Sequence, residues 1–326
     1  MCQLHTQKHS KKLVRSGKNM LTVIIPAYNH ESYILECLEA VIKINHSELK
    51  VIVIDDGSLD RTPQIISDFI GKNSSVCMEY VSKRNSGLVD SLNIGLSKVS
   101  AGYLYIVASD DIPCAAGIVE CINLLERVPD ASFCIGGGVN FFDGDVKEES
   151  SIYGSSHAKF FGMKSVDRSI EMFLNYPSPI LLQSTIFKVE ALKEIGGWDK
   201  KLTLDDFPVF IKLLSAYPEC NKDFLFRPDI NVVKYRQHGL NGHKNMYRHF
   251  LMVRESLIAL TPSNLKSRAL GSAVGFYTLV ALKNREIRTA ISILFGSGIK
   301  VLGLGILKMP VLIFSRAKHY ILRESK

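Results

Sequence analysis

The chain has 326 residues, 46% hydrophobic and 22% charged, with a net charge of +8. That is enough apolar material for one large globular core and an appendage, and it excludes a disordered, fibrous or integral membrane protein. From Arg248 onward there are 13 Lys or Arg against three acids, and residues 1–30 hold five basic residues and no acid, so an acidic body lies between basic ends.

Residues 1–20 form a basic segment with Lys8, Lys11, Lys12, Arg15 and Lys18. The apolar run that follows, LTVIIPAY, is short and broken by Pro26, so no export signal is expected. It reads as a buried strand. ESYILECLEAVIKI (31–44) then sets Ile34, Leu38, Val41 and Ile42 on one helical face. KVIVIDD, PQIISDFI, CMEYVSK, LVDSLNIGLSKV and GYLYIVASDD continue as strand, helix, strand, helix and strand. Strict alternation with short connections predicts an α/β fold on a mostly parallel sheet covered on both faces.

Two of these strands end in paired acids, Asp55-Asp56 and Asp110-Asp111. Either pair alone is compatible with a turn, since acids and glycine favour turns and Thr62-Pro63 suits a helix start. Two pairs on one carboxyl rim point to a ligand, because ligands of open α/β sheets bind there and four carboxylates repel unless a cation or hydrogen-bond donors offset them. A hard divalent ion with oxygen ligands, holding a diphosphate, supplies that offset.

In the second half the alternation fades. CIGGGVNFFDGD suggests a strand running into a loop. GGWDKKLTLDDFPVFIKLL places Asp205 and Asp206 at the start of a helix with Phe207, Phe210, Ile211 and Leu214 as its apolar face; the helix dipole alone would favour acids there. YRQHGLNGHKN carries His238, Asn241 and His243, a spacing too loose for a dedicated zinc site. The seven cysteines are scattered, odd in number and never in a CxxC pair, which predicts reduced thiols in a cytosolic compartment.

TVIIPAYNHESYILECLEAV, VIVIDDGSLDRT, NSGLVDSLNIGLSKVSAGYLYIVASDD and IGGWDKKLTLDDFPVFIKLL, in this order and spacing, resemble the successive motifs of family 2 glycosyltransferases of the A-type nucleotide-diphospho-sugar fold. The resemblance runs from about residue 21 to about residue 245. It implies a catalytic domain over 21–245, with a nucleotide-sugar-binding half (21–111) and an acceptor-binding half (112–245). Pro26, Ala27 and Tyr28 would line the nucleobase pocket, and Asp56 would accept a hydrogen bond from the base with Asp55 supporting the turn. Arg84 and Asn85, beside Lys83, fall where the family makes donor contacts. Asp110 would stand nearer the ribose and Asp111 on Mn2+ or Mg2+, although Ser109-Asp110-Asp111 is not a literal DxD. His238 would complete the metal shell, Trp198 would wall the acceptor pocket, and Asp206, or else Asp205, would be the base. The implied activity is inverting sugar transfer from a nucleotide-diphospho-sugar, with UDP the family's commonest carrier, to a glycan or lipid-linked glycan in cell-surface polysaccharide synthesis.

Two rivals remain at this stage. A phosphatase of the haloacid type wants an aspartate two residues before its partner, and Ile54 stands there. A peripheral scaffold without turnover would not need acids at all three stations. Residues 246–326 read as helices with cations among apolar runs. The charge-free stretch 289–299 is too short to cross a bilayer and is followed by Lys300, Lys308 and Pro310. This predicts an extension lying on an anionic membrane at the cytoplasmic face, with packing on the body or a homo-oligomer interface as the other use. No nucleic-acid partner is expected.

Overall fold

The computed structural model describes residues 19–142, 150–237 and 245–324. Its body is a nine-stranded mixed sheet. Four parallel strands form one half: β1 (Leu21–Ala27), β2 (Leu49–Asp55), β3 (Cys77–Ser82) and β4 (Tyr103–Ile106), in the order β3-β2-β1-β4. These four match the alternating strands read from the first half of the sequence. α1 (Ile34–Val41), α2 (Thr62–Lys72) and α3 (Leu88–Ser97) connect them.

Side chains along a strand alternate between its faces, and these strands feed two separate cores. Ile24, Ile52, Ile54, Leu104 and Ile106 pack to one side with Leu92 and Leu96 of α3. Val23, Ile25, Val51, Val53, Tyr103 and Tyr105 pack to the other with Ile34, Cys37, Leu38 and Val41 of α1. Burial on both faces explains the nearly unbroken apolar runs of β1 and β2.

The other half of the sheet is mixed. β5 (Ile112–Pro113) and α4 (Ala115–Arg127) lead to β6 (Phe133–Phe141), with β7 (Ser150–Ser151) paired to it. After α5 (Ser155–Phe161) and α6 (Ser165–Leu174), β8 (Thr185–Lys188) inserts antiparallel between β4 and β6. α7 (Val189–Glu194) and α8 (Asp206–Ala216) precede β9 (Leu225–Arg236), which runs parallel to β6 with register shifts at Gly136–Gly138. Those glycines permit the approach: a Cβ on Gly137 would meet the Pro228 carbonyl oxygen at 2.2 Å. β5 pairs antiparallel with β9, Ile112 opposite Lys234, and this folds the end of β9 back over the Asp110-Asp111 turn.

α9 (Met246–Leu260), α10 (Ser263–Lys283), α11 (Ile287–Phe295) and α12 (Ile299–Glu324) form the helical extension, bringing the described α-helices to twelve. α10 crosses α12 closely at Gly271, Gly275 and Gly305; a Cβ on Gly271 would lie 2.6 Å from Leu304 Cβ. Among the described residues, no helix is long and apolar enough to cross a membrane. The six described cysteines are free thiols.

Candidate active site

The register of the parallel strands assembles the site's rim. Ala27 is paired with Asp55, and Asp55 with Ser82, so these carboxyl ends are level. The Val107 N–H donates to the Ile24 carbonyl at 3.1 Å, which carries the β4 chain to the same edge just before Ser109, Asp110 and Asp111. Both acid pairs therefore share one rim, as their positions after the strands predicted.

The two members of the first pair do different work. Asp55 Oδ1 accepts from the Ser58 N–H at 3.1 Å and the Ser58 hydroxyl at 2.5 Å, closing the turn. Asp56 is buried; its Oδ1 accepts from Lys83 Nζ and, at 2.8 Å, from the Ser86 N–H, while Oδ2 accepts from the Gly87 N–H at 2.8 Å. Asp56 thus holds the 83–87 loop onto the rim. Gly57 makes this closeness possible: its φ is +75°, and an added Cβ would lie 2.8 Å from the Asn85 nitrogen. Lys83, rather than the exposed Arg84 or Asn85, is the cation engaged here, and it also pairs with Asp90 at 3.2 Å. Pro26 is half-buried, Ala27 buried and Tyr28 exposed at the mouth of the same rim.

A second set of bonds fixes the loops after β1 and β2 to each other. The Asn29 N–H donates to Ser58 Oγ at 2.9 Å, and Asn29 Oδ1 accepts from the Leu59 N–H at 2.8 Å. The Glu31 N–H donates to Asp60 and the Arg61 N–H to Glu31, reciprocally. His30 spans to the other acid pair: its Nδ1 lies 2.7 Å from Ser109 Oγ and its Nε2 4.0 Å from Asp110 Oδ2.

In the second pair, the Asp110 carboxylate is 13% exposed, whereas Asp111 is 1% exposed. Asp111 Oδ1 accepts from the Arg236 N–H at 2.9 Å; Oδ2 is buried with no hydrogen bond, though the Gln183 side chain is near enough to favour the charged form. Burial, then the charge of Asp110, pushes the Asp111 carboxyl well above the usual range. Arg236 also donates through Nε to the Asp110 carbonyl at 2.7 Å, pairs with Glu36 and lies over the rings of Tyr33 and Phe141. Two neighbouring acids, one of them with a buried oxygen that accepts no hydrogen bond, fit a hard divalent cation. No group of three or more His, Cys, Asp or Glu among the described residues could hold one, so oxygens of a bound diphosphate would have to complete the shell. His238 lies outside the described residues.

The third acid pair opens α8. Asp206 Oδ1 accepts from the Phe207 N–H at 2.5 Å. Burial, then the neighbouring Asp205, pushes the Asp206 carboxyl up to about 7; burial also raises Asp205. Trp198 is not an open wall of this region. It is 3% exposed within the core, and its indole N–H donates to the Asp205 carbonyl at 3.0 Å while Asn93 bonds both its N–H and its carbonyl. The large ring is drawn into the apolar core and its polar edge positions the acid turn.

Burial raises the phenol of Tyr235 on β9, and the charges of Asp111, Asp110, Asp206 and Asp205 raise it further. Burial raises the phenols of Tyr153, Tyr176 and Tyr277, and the charge of Asp206 adds to each rise.

The sequence bears the glycosyl transferase family 2 signature over residues 22–188. The chain belongs to this family. A glycosyltransferase of Haemophilus influenzae whose activity is uncharacterised is 28% identical over 243 residues, covering 71% of this chain and 69% of its own. Glycosyltransferase GlyG of Streptococcus pneumoniae is 29% identical over 126 residues, 39% of this chain and 41% of its own, so the chain spans well under two thirds of that relative. Poly-beta-1,6-N-acetyl-D-glucosamine synthase of Staphylococcus epidermidis is 26% identical over 197 residues, covering 59% of this chain and 45% of the synthase. Among solved structures, the mannosyltransferase PcManGT of Pyrobaculum calidifontis, in complex with GDP-Man and Mn2+, superposes with a TM-score of 0.58 at 15% identity over 94% of this chain and 84% of its own. Residues 1–349 of S. aureus TarS, in complex with UDP-GlcNAc, give 0.58 at 17% identity over 92% and 88%. These likenesses establish the A-type fold that the family resemblance implied.

Proposed function

We propose that this transferase moves a sugar from a nucleotide-diphospho-sugar, a UDP-sugar in the first instance, to a hydroxyl of a glycan or lipid-linked glycan, with inversion and with Mn2+ or Mg2+, in cell-surface polysaccharide synthesis. The observation that carries this reading is the placement of Asp55-Asp56 and Asp110-Asp111 on one carboxyl rim, where Asp111 keeps a buried oxygen without a hydrogen bond. Residues 21–111 bind the donor: Pro26, Ala27 and Tyr28 take the base, Asp56 reads it through the acceptor capacity that its three protein donors leave, and Arg84 and Asn85 meet the donor from the 83–87 loop. The cation, held by Asp110, Asp111 and the donor's phosphates, offsets charge on the departing diphosphate. Residues 112–245 bring in the acceptor, whose hydroxyl proton passes to Asp206. One in-line displacement inverts the anomeric centre. The family membership, and the GDP-Man and UDP-GlcNAc held by proteins of the same fold, support a nucleotide-sugar donor.

A panel of UDP- and GDP-sugars, screened for thermal stabilisation with Mn2+ or with EDTA, tests the donor assignment. A donor at a hundred times its Kd adds about 2.7 kcal/mol, which moves the melting temperature by several degrees. Asp56→Ala is expected to melt earlier than wild type, because Lys83, Ser86 and Gly87 lose their acceptor, and to show a smaller donor shift. No stabilisation by any nucleotide sugar would overturn the assignment.

The extension, residues 246–326, is proposed to rest on the cytoplasmic face of an anionic membrane. Phe295 and Ile299, 80% and 91% exposed, flank the turn between α11 and α12, with Lys300 next to Ile299 in sequence and Arg288 at the far end of α11. Exposed apolar tips on a cationic extension suit an interfacial site. The full chain should co-sediment with phosphatidylglycerol-containing vesicles at low salt and release as salt rises. Burying one such side chain is worth about 1.5–3 kcal/mol, so Phe295→Ser with Ile299→Ser should weaken partitioning at least about tenfold. Equal sedimentation of the double variant would leave these helices to a subunit interface.

A further inference from the structure

Two polar residues on one face of α3 reach from the donor side of the molecule to the chain just before the third acid pair. Asp90 pairs with Lys83 at 3.2 Å and with Lys200 at 2.9 Å. Asn93, three residues on, grips the Trp198 backbone twice: its Nδ2 donates to the Trp198 carbonyl at 2.9 Å, and its Oδ1 accepts from the Trp198 N–H at 3.1 Å. α3 is itself anchored at the rim, because the Gly87 N–H, directly before its first residue, donates to Asp56 Oδ2 at 2.8 Å.

The contact is close enough that residue 197 must be small. An added Cβ on Gly197, whose φ is +61°, would lie 2.9 Å from Asn93 Oδ1. From the other side, Lys212 of α8 donates to the Gly197 carbonyl at 3.0 Å. The chain at Gly197-Trp198 is thus held between α3 and the helix that begins with Asp206.

Trp198 passes this restraint to the acids. Its indole N–H donates to the Asp205 carbonyl at 3.0 Å, and its ring lies in the same core as Leu92 and Leu96 of α3 and Leu204 and Phe207 on either side of the acid pair. That carbonyl belongs to the peptide joining Asp205 to Asp206. A peptide is planar, so fixing its oxygen also fixes the nitrogen and Cα of Asp206. Asp205, the N-cap of α8, makes no side-chain cap bond, and the indole restrains the turn in its place.

We propose that Asn93 and Trp198 are positioning residues for the base: α3 carries the placement of the donor loop through the Asn93–Trp198 clamp to the Asp205–Asp206 peptide, so that the carboxylate is set relative to the bound donor. The role rests on the reading of Asp206 as the base, given above. Placement at this scale matters, because a shift of about 1 Å in a reacting group can cost about a hundredfold in rate.

The test sets nucleotide release against donor binding. UDP-GlcNAc, or the nucleotide sugar that stabilises the chain most in the panel above, is offered with Mg2+ and with water in place of the acceptor hydroxyl, and UDP affinity is measured by calorimetry in the same buffer. Asn93→Ala removes both bonds to the Trp198 backbone; Trp198→Phe keeps an aromatic ring in the core and removes the indole donor. Each is expected to bind UDP within about threefold of wild type and to release nucleotide at least about tenfold more slowly. The same two substitutions are then made in Asp206→Asn. Residues that act through Asp206 should cost less than about twofold once its carboxylate is gone, whereas general damage to the fold would cost its full factor again. Undiminished release by Asn93→Ala and Trp198→Phe overturns the proposal, as does a loss confined to UDP affinity or one that repeats in full in Asp206→Asn. Release by Asp206→Asn alone at the wild-type rate strikes the assignment of the base, and the positioning role with it; failure of the wild type to bind UDP strikes the donor reading instead.

Discussion

Asp206→Asn is expected to bind a nucleotide-sugar donor as wild type does and to transfer its sugar at least about a hundredfold more slowly, the loss that removal of a general base brings. The substitution is nearly isosteric, and Asn keeps an oxygen to accept from the Phe207 N–H, so the start of α8 should survive. The pH dependence adds a second, independent check. With its carboxyl pushed up to about 7 by burial and by Asp205, Asp206 is protonated in acid and becomes the base only as pH rises. Wild-type kcat/KM should therefore climb about tenfold per pH unit below 7 and level off above it. Stability should move the opposite way. A carboxyl whose folded pKa exceeds its unfolded value holds its proton more tightly in the native state, so its contribution is greatest in acid and declines between about pH 4 and pH 7. Asp206→Asn lacks that decline and should melt higher than wild type at pH 8, relative to the same comparison at pH 5. If Asp205→Asn is inactive while Asp206→Asn turns over, the roles are exchanged. If both remain active, the base lies elsewhere.

Much of this arrangement was legible because the information is local. The apolar runs of β1 and β2 report burial on both sheet faces, and the acid pairs that follow β2 and β4 are placed on one rim by the parallel pairing of both strands with β1. The parallel half of the sheet could be reached that way. What stayed hidden depends on chain segments far apart in sequence. β8 is a four-residue strand whose antiparallel insertion beside β4 leaves no periodicity to read. Trp198 reads as an aromatic near a candidate acid, yet its neighbours Asn93 and Asp205 determine that it is buried and structural. Arg236 looks like the ordinary end of a strand, but pairing of β5 with β9 brings its N–H to Asp111 and its guanidinium to the Asp110 carbonyl. Lys83 lies in a run of five polar residues, Ser82 to Ser86, and only the fold singles it out by bringing Asp56 against it. Tyr235 and Tyr277 carry no motif at all; the acid charges that raise their phenols act on them only through the placement of β9 and α10.

Asp111→Asn is expected to abolish Mn2+- or Mg2+-dependent affinity for a nucleoside diphosphate while leaving the fold intact. Asp111 Oδ1 accepts from the Arg236 N–H, a bond that the Asn carbonyl oxygen can keep. The change therefore falls on Oδ2, the buried oxygen without a hydrogen bond, and on the charge. An Asn presents a neutral amide where a hard cation needs an anionic oxygen, and Asp110 alone then faces the diphosphate's own negative charge. The native protein bears a cost for this arrangement, because burial and Asp110 push the Asp111 carboxyl well above the usual range. By the same linkage as for Asp206, the wild type loses stability as pH rises above the ordinary carboxylate range, and the Asn variant escapes that loss. Without metal, the variant should melt at or above the wild-type temperature at pH 8; with Mn2+ and UDP, only the wild type should gain stability. Calorimetry of UDP binding with Mn2+ and then with EDTA decides it. Metal-dependent affinity that persists in Asp111→Asn removes this residue from the metal shell and leaves Asp110, the more exposed acid of the pair, as the residue to test next.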